Sequence, residues 1–312
     1  MESIHKSVLV EECINTLVPK KENSILVDGT LGEGGHTLNF LRTYPSLKVI
    51  GVDADPEIQE VAKARLASFG DRVEFYSLWS DDFFENYPVT KEKPELILLD
   101  LGISMYHYVT SKKGFSFSKE DSLDMRLSPS LEVSAEDVVN TYSESEIARI
   151  LNEHGEERNA NRIAKAIVKV RKNKKVESAK ELASIIFDCV PNSYRYLAIH
   201  PATKTFQALR IEVNNELTRL PRLLRIAFDT LAVEGRLGVI TFHSLEDRIV
   251  KRYFRELSLS CTCPPHFPIC KCGGVARGRL INRKAIKPSE KEVGYNHAAR
   301  SAKLRVIEKI RD

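Results

Sequence analysis

The feature that most constrains this chain is a glycine-rich turn between an apolar strand and an apolar-periodic segment. Ile25 to Val27 form a short buried-strand pattern that ends in Asp28, and several glycines follow before His36. From His36 onward the apolar residues recur at helical spacing. Glycine lets the backbone approach a ligand closely, and a helix start offers free N–H groups. The pattern predicts a strand, a tight turn and a helix start that binds a small molecule; alone, it is also compatible with a plain connection.

Two later apolar segments also end in a carboxylate. Lys48 to Asp53 is the first of them, and Glu95 to Asp100 is the second. Asp53 follows the glycines by about 20 residues, and in doubly wound folds a carboxylate at that position binds the hydroxyls of a ribose. The carboxyl ends of parallel strands share one edge of a sheet, and open α/β folds bind ligands there. Three strand-terminal acids therefore predict a ligand site along that edge.

The acid before the turn discriminates between two classes of cofactor. A dinucleotide places its pyrophosphate at the helix N-terminus, where Asp28 would repel it. S-adenosylmethionine carries a positive sulfonium and ammonium and no phosphate, so nearby acids favour its binding. On this interpretation the methionine end meets Gly34, Gly35 and His36, the ribose meets Asp53, and Asp100 meets either the amino end or the methyl acceptor.

A helical region interrupts the strands. An aperiodic segment from Ser104 to Pro129 precedes it, and its aromatic residues predict an ordered loop. Ser-x-x-acid sequences then mark helix starts at Ser134, Ser143 and Ser178. Two more helices are predicted over roughly Thr203 to Leu217 and Arg222 to Val233.

Strand patterns resume at Gly235 to Phe242 and end with Ala302 to Ile307, with a helix capped by Ser244 between them. The sequence thus predicts a discontinuous α/β domain of residues 1–107 and 212–312. A loop and an inserted helical subdomain occupy residues 108–211.

The inserted region contains a basic segment. Glu156 to Lys175 holds eight basic residues and two acidic ones, although the net charge of the chain is only +4. The segment is either a solvated helix face or a phosphate-contacting surface. Phe115 and Phe117 likewise either stack an RNA base or anchor their loop in the core. The candidate phosphate partners are Arg158, Arg162, Lys165, Lys169 and Arg171.

Cysteine usage and hydropathy bound the remaining possibilities. The sequence has two C-x-C pairs, formed by Cys261, Cys263, Cys270 and Cys272. Structural zinc sites favour the wider spacing C-x₂₋₄-C. No metal is therefore predicted, and a zinc site is the alternative. No secretion signal or membrane-length apolar run is evident. The expected compartment is the cytoplasm.

Motifs along nearly the whole chain resemble the bacterial small-subunit ribosomal RNA cytosine-N4 methyltransferases, the RsmH or MraW family. The matching segments are Asp28-Gly-Thr-Leu-Gly-Glu-Gly-Gly-His36, Asp100-Leu-Gly-Ile-Ser104, Gly114-Phe-Ser-Phe117, Leu123-Asp-Met-Arg126, Gly155-Glu-Glu-Arg158, His200-Pro-Ala-Thr203, Phe206-Gln-Ala-Leu-Arg-Ile211, Phe242-His-Ser-Leu-Glu-Asp-Arg248 and Arg300-Ser-Ala-Lys-Leu-Arg305.

This resemblance implies a class I methyltransferase: a Rossmann-like, mostly parallel sheet with an inserted all-helical subdomain that recognises RNA. It implies methyl transfer from S-adenosylmethionine to the exocyclic N4 amine of one cytidine in the decoding region of 16S rRNA. The expected partner is the small ribosomal subunit, with no membrane or DNA partner. By position the family's cofactor contacts correspond to Gly34, Gly35, His36, Asp53, Asp100 and an aromatic residue at Trp79.

The expected acceptor of the amine hydrogens is Asp100, followed by Ser104, with Asp124 also nearby. His243 is either close to this site or a structural histidine. The chain departs from the family pattern at Met105 and at His107, where a Gln is usual, so the amide contact to the cofactor is either replaced by an imidazole or lost. It also departs at Asn296–Ala299, which is less basic than in the family.

Two other functions are compatible with the same predicted fold. A non-catalytic RNA-binding assembly factor would keep the fold and lose the chemistry, and it is disfavoured because the glycine turn and all three acids are intact. A methyltransferase that acts on DNA or protein amines would change only the acceptor, which fold alone does not set.

Overall fold

The computed structural model describes residues 6–261, 263 and 274–312. The chain divides into two compact units, one of Met1–Ile103 with Leu217–Asp312 and one of Ser104–Glu216. The strands are β1 (Ile25–Asp28), β2 (Lys48–Asp53), β3 (Val73–Ser77), β4 (Leu96–Asp100), β5 (Arg236–Thr241), β6 (Gly278–Leu280) and β7 (Lys303–Lys309). The helices are α1 (Val10–Thr16), α2 (Gly35–Thr43), α3 (Pro56–Leu66), α4 (Ser80–Glu85), α5 (Met105–Val109), α6 (Ala135–Thr141), α7 (Glu144–Gly155), α8 (Ala160–Arg171), α9 (Ala179–Cys189), α10 (Asn192–Arg195), α11 (Ala202–Asn214), α12 (Glu216–Thr230), α13 (Ser244–Ser258) and α14 (Glu290–Tyr295).

The first unit is built on a sheet that has seven strands within the described residues, in the order β3-β2-β1-β4-β5-β7-β6. Strands β1 to β5 run parallel, and β7 is antiparallel to its neighbours β5 and β6. Because β2, β1 and β4 are adjacent, the acids that end them, Asp53, Asp28 and Asp100, stand side by side. The predicted mostly parallel α/β sheet with acid-tipped strands is confirmed.

Apolar side chains cover both faces of this sheet. Successive residues of a strand point to opposite faces, so Leu26 joins one buried cluster and Val27 the other. Phe40 of α2 packs in the first cluster, and Phe228 of α12 and Phe254 of α13 pack in the second. Burying one such ring stabilises the fold by roughly 1.5–3 kcal/mol. Packing on both faces therefore fixes the strand ends and the acids that they carry.

The late helices differ from the sequence prediction. A helix start is expected at Arg222, after a proline, but α12 runs continuously over Glu216–Thr230 and includes Pro221. A proline inside a helix removes one N–H donor and crowds the preceding turn. Burial of Phe228 and Leu224 on the sheet, both 0% exposed, offsets that cost. Tertiary packing here overrides a local breaker.

The start of α13 also differs by one residue. The predicted cap is Ser244, but the structure has His243 in that position. Nδ1 of His243 accepts the N–H of Glu246 at 3.4 Å, and the Glu246 carboxylate accepts the His243 N–H at 3.2 Å. An imidazole nitrogen thus replaces the expected hydroxyl, and His243 has the structural role that was one of its two predicted roles.

The second unit is helical and spans α5 to α11. The capping boxes predicted at Ser134 and Ser143 are both confirmed. Ser178 caps α9 by accepting the Glu181 N–H at 3.2 Å, but the Glu181 carboxylate accepts from the backbone of Glu177 instead of completing the box.

The loop before α6 is ordered by one buried amide. The side-chain nitrogen of Asn214 donates to the carbonyl of Met125, and its oxygen accepts the N–H of Leu127, both at 2.8 Å. Asn214 is itself fully buried. The predicted order of this loop is confirmed. No helix in the described part of the chain is long and apolar enough to span a membrane.

Candidate active site

The turn after β1 depends on a glycine in the left-handed conformation. Gly34 has φ of +75° and stands directly before the first residue of α2. A Cβ at this position would lie 2.9 Å from a methyl carbon of Leu66, so both backbone conformation and space require glycine. The N–H groups of Gly35 and His36 in the first turn of α2 have no acceptor within the helix. The turn therefore presents donors at a closely approachable backbone.

Asp53, at the end of β2, ties this turn to the neighbouring strand. Its Oδ2 accepts the Gly32 N–H at 2.7 Å, and its Oδ1 accepts the Asp55 N–H at 2.9 Å. A carboxylate oxygen has a second lone pair, so hydroxyl groups of a ligand can still donate to Asp53. The structure places Asp53 at the glycine turn, and its contact with a ribose stays a prediction.

Five residues of the turn and of the neighbouring strand end converge behind the turn. The Thr37 hydroxyl donates to Oδ2 of Asp28 at 2.7 Å, and Oγ1 of Thr30 accepts the N–H of Asp100 at 2.6 Å. Nε2 of His36 lies 3.4 Å from Oδ2 of Asp100. His36 is only 6% exposed, and neither ring nitrogen has a hydrogen-bond partner within the described residues. Unsatisfied buried nitrogens are costly, which favours a ligand as their partner.

Burial controls the charge of this cluster. Loss of solvent raises the pKa of Asp28 to about 6, opposed first by the nearby His36 ring and then by the hydrogen bond from Thr37. Burial also raises the pKa of the Cys13 thiol, and Asp100 is the largest further cause, so Cys13 stays a neutral apolar filler. Carboxylates in a poorly solvated site favour a cation over an anion. The site therefore suits a positively charged ligand.

Trp79 follows β3, and the guanidinium of Arg219 lies over its ring. The guanidinium carbon of Arg219 lies 4.7 Å from the ring centroid, and its Nε donates to Asp81 at 3.0 Å. The neighbouring Ser80 hydroxyl donates to the carbonyl of Gly29 in the glycine turn. Trp79 is thus tied to the turn, and its contact with the cofactor ring stays a prediction. Sequence reasoning missed Arg219, because nothing in the sequence links it to a residue so far away.

Three predicted site residues belong to the second unit. Oγ of Ser104 caps α5 by accepting the N–H two residues later at 3.1 Å. His107 is buried, and its ring centroid lies 5.3 Å from that of Phe115. Asp124 accepts two hydrogen bonds from the Arg126 guanidinium, at 2.6 and 3.1 Å. The roles of Ser104, His107 and Asp124 stay predictions.

The predicted basic surface divides into exposed and structural cations. Arg171 is half-buried and donates to the carbonyls of Val139 and Tyr142 at the end of α6, so it has a structural role, and its contact with a phosphate stays a prediction. Five other cations recur every three or four residues, are exposed and form no ion pair within the described residues; we call them the α8 stripe. The stripe consists of Arg158, Arg162, Lys165, Lys169 and Lys172.

The loop phenylalanines have different environments. Phe115 is only 4% exposed and anchors the loop, which is one of its two predicted roles. Phe117 is half-buried beside His200. In the cysteine cluster, Cys270 and Cys272 lie outside the described residues, and the absence of a metal there stays a prediction.

Five parallel strands followed by an antiparallel β7, with a glycine turn after β1 and acids after β1, β2 and β4, define a class I methyltransferase. The chain belongs to the MraW methylase family, whose model matches residues 2–310. The family, the fold class and the assignment as a methyltransferase, all predicted from the sequence, are confirmed.

Three curated relatives carry the name ribosomal RNA small subunit methyltransferase H. That of Treponema denticola is 58% identical over 310 residues, covering 99% of this chain and 98% of the relative. That of Treponema pallidum is 43% identical over 350 residues, covering 98% and 92%. That of Borreliella burgdorferi is 45% identical over 311 residues, covering 99% of both.

Proposed function

We propose that this chain transfers a methyl group from S-adenosylmethionine to the exocyclic N4 amine of one cytidine in the decoding region of 16S rRNA. The acceptor is the small ribosomal subunit in the cytoplasm, with no membrane or DNA partner. The names of the relatives and the motif resemblance support the acceptor. The observation that carries the chemistry is the buried His36, whose ring nitrogens lack partners, next to Asp28 and Asp100.

The residues present fit this cofactor. We assign Gly34, Gly35 and His36 to its methionine end, Asp53 to its ribose and Trp79 to its adenine. Bound S-adenosylmethionine supplies a methyl group on a positively charged sulfur, which is an excellent leaving group. The carboxylates offset that charge, and the glycine turn lets the backbone approach the cofactor closely.

On the acceptor side we assign Asp100. The lone pair of the cytosine amine is delocalised into the ring, so the nitrogen is a weak nucleophile. A carboxylate that accepts one of the amine hydrogens localises the lone pair and orients the nitrogen. Asp100 is 15% exposed at the end of β4, which leaves its carboxylate reachable. Ser104 and Asp124 are the next candidates.

The test is methyl transfer with labelled S-adenosylmethionine to naked 16S rRNA, assembled small subunits and DNA. We expect label on cytidine N4 of a small-subunit substrate and none on DNA. Transfer only to DNA or protein would contradict the acceptor. Calorimetric binding of the cofactor without transfer to any substrate would instead support the non-catalytic assembly factor.

Asp100→Ala tests the catalytic assignment. We expect the transfer rate to fall by at least about 100-fold, because a positioned proton acceptor contributes that much. Asp100→Asn is the matched control, since it keeps the shape and one acceptor oxygen without the charge, and it should retain more activity than the alanine variant. Calorimetry with the cofactor separates lost binding from lost chemistry. Full activity of Asp100→Ala would contradict the assignment.

We also propose that the helical unit, predicted over residues 108–211, recognises the RNA through the α8 stripe. Unpaired cations at helical spacing on one exposed face suit a row of phosphates. Reversing the charge at Lys165 and Lys169 should lower the magnitude of the salt-dependence slope of RNA binding by about 1.5, because two phosphate contacts are lost.

A matched control makes the same change of net charge in the other unit. Lys63→Glu with Lys93→Glu alters one partly exposed and one exposed lysine that pair only with surface acids, and such pairs contribute little to stability. We expect this control to keep the slope of the unchanged protein. Equal slopes for the α8-stripe variant and the control would contradict the proposed surface.

A further inference from the structure

One face of α9 lines a cleft in the helical unit. Lys180, Ser184, Phe187 and Asp188 follow helical spacing and face a cavity of about 310 Å³, while Leu182 on the opposite face is fully buried. Phe117 and His200 also line this cavity. All of these residues belong to the second unit, so none of them is part of the glycine turn or its acids, which belong to the first unit.

Flat groups stack along this cleft. The ring of His200 is 4.6 Å from that of Phe117 with an interplanar angle of 18°, and 6.2 Å from that of Phe187 with an angle of 20°. The guanidinium carbon of Arg195 lies 5.3 Å from the centroid of Phe187. Arg195 is held by donating to the carbonyl of Val190 at 3.2 Å. The wall is therefore a series of nearly parallel planar groups in fixed positions.

A hydrogen bond sets which nitrogen of His200 carries its proton. The N–H of Ala202 donates to Nδ1 of His200 at 3.2 Å, so Nδ1 acts as the acceptor. The neutral ring then has its proton on Nε2, which is a hydrogen-bond donor. His200 is exposed, so this donor is available to a ligand. His200, the first residue of the His200-Pro-Ala-Thr203 motif, is therefore a hydrogen-bond donor to a ligand in the cleft.

The polar groups around the wall offer both kinds of hydrogen bond. Lys180 brings an ammonium, although it also pairs with Glu120 at 2.9 Å, and Asp188 brings a carboxylate. Ser184 donates to the carbonyl of Lys180 at 3.1 Å, so its oxygen can still accept. An aromatic wall with a mixed donor and acceptor rim matches the flat face and the polar edge of a nucleobase.

We propose that this cleft is a subsite for one unpaired base of the RNA substrate, distinct from the cytidine that is methylated. The proposal rests on the proposed function. Helix α9 packs against α8, which carries most of the α8 stripe, so backbone and base contacts belong to one unit. A phosphate-binding row beside a stacking wall is how sequence-tolerant binders hold single-stranded nucleic acid.

Two variants test the subsite by different means. Phe187→Leu keeps apolar volume and removes the aromatic face. His200→Asn keeps an acceptor for the Ala202 N–H and removes the ring and its Nε2 donor. For each we expect KM for the RNA substrate to rise about tenfold, as for the loss of one stacked base, with kcat and the salt-dependence slope unchanged. The control is Phe69→Leu in the other unit, whose ring also lies under an arginine, Arg72.

A second arm identifies the base. Single abasic sites are introduced at each unpaired position of the substrate RNA. One position should raise KM about tenfold for the unchanged protein and leave KM for Phe187→Leu unaltered, because the stacking partner is already absent. Additive losses at every position, or unaltered KM for both folded variants, would overturn the subsite. Absence of methyl transfer by the unchanged protein would instead refute the proposed function. The subsite would then be tested by the affinity of the protein for the same series of abasic RNAs.

Discussion

Asp28→Asn should stabilise the protein near neutral pH and leave it unchanged in acid. The carboxyl of Asp28 is 1% exposed, and burial raises its pKa from 3.8 to about 6. Asparagine has the same shape and can still accept from the Thr37 hydroxyl, but it carries no charge to desolvate. The variant therefore removes the cost of burying an ion and keeps the packing.

The magnitude and sign follow from linkage. Below about pH 3 the Asp28 carboxyl is protonated in both the folded and the unfolded state, so it contributes no pH dependence. As pH rises from about 4 to 6 the unfolded state ionises first, and the stability of the unchanged protein falls. A pKa that rises from 3.8 to about 6 corresponds to about 3 kcal/mol. The free energy of unfolding of Asp28→Asn minus that of the unchanged protein should grow by this amount between about pH 3 and pH 7.

Urea unfolding at several pH values measures this difference. Trp79, the single tryptophan, belongs to the unit that contains Asp28 and reports its unfolding by fluorescence. Thr37→Val is a second variant: it removes a hydrogen bond that opposes the shift, so it should raise the pKa of Asp28 further and extend the fall in stability to higher pH. A difference between Asp28→Asn and the unchanged protein that stays constant with pH would refute the reasoning. Cofactor affinity should fall in Asp28→Asn, opposite to stability, because a counter-charge to the sulfonium is lost.

Two further variants test single contacts. Arg219→Gln removes the cation over Trp79 and should weaken S-adenosylmethionine binding about fivefold without changing kcat, as measured by titration. Arg222→Gln is its control, since Arg222 pairs with the same acids without covering the ring, and equal effects of both would contradict the role of Arg219. Asn214→Ala leaves the N–H of Leu127 unsatisfied and should lower the free energy of unfolding by about 2 kcal/mol in urea titrations. A loss below about 0.5 kcal/mol would show that the loop does not depend on this amide.

The sheet edge is predictable because its signals are local. A short apolar run that ends in Asp28, Asp53 or Asp100 predicts a strand and the position of its acid without reference to the rest of the chain. The capping boxes at Ser134 and Ser143 are local in the same sense, since both partners lie within four residues.

Other contacts depend on the folded chain. Arg219 lies over Trp79 only because α12 and α4 come together, and no local pattern records that approach. Arg171 counts as one more cation in the sequence, but in the structure it donates to the last carbonyls of α6. The sequence predicts a helix start near Arg222, but packing on the sheet lets α12 continue through Pro221.

The separation of β4 from β5 along the chain affects how the protein folds during synthesis. Leu96 of β4 pairs with Arg236 of β5, and the whole helical unit lies between them in sequence. Closing an unfolded loop of that length costs about 4 kcal/mol of entropy. The helical unit is continuous, so it can fold on the ribosome before β5 emerges, and it then shortens the free chain that must close. Until closure β4 is an open edge, and an open edge invites aggregation. We therefore expect substitutions that destabilise the helical unit to lower the yield of folded protein during synthesis, even where no residue of the sheet is altered.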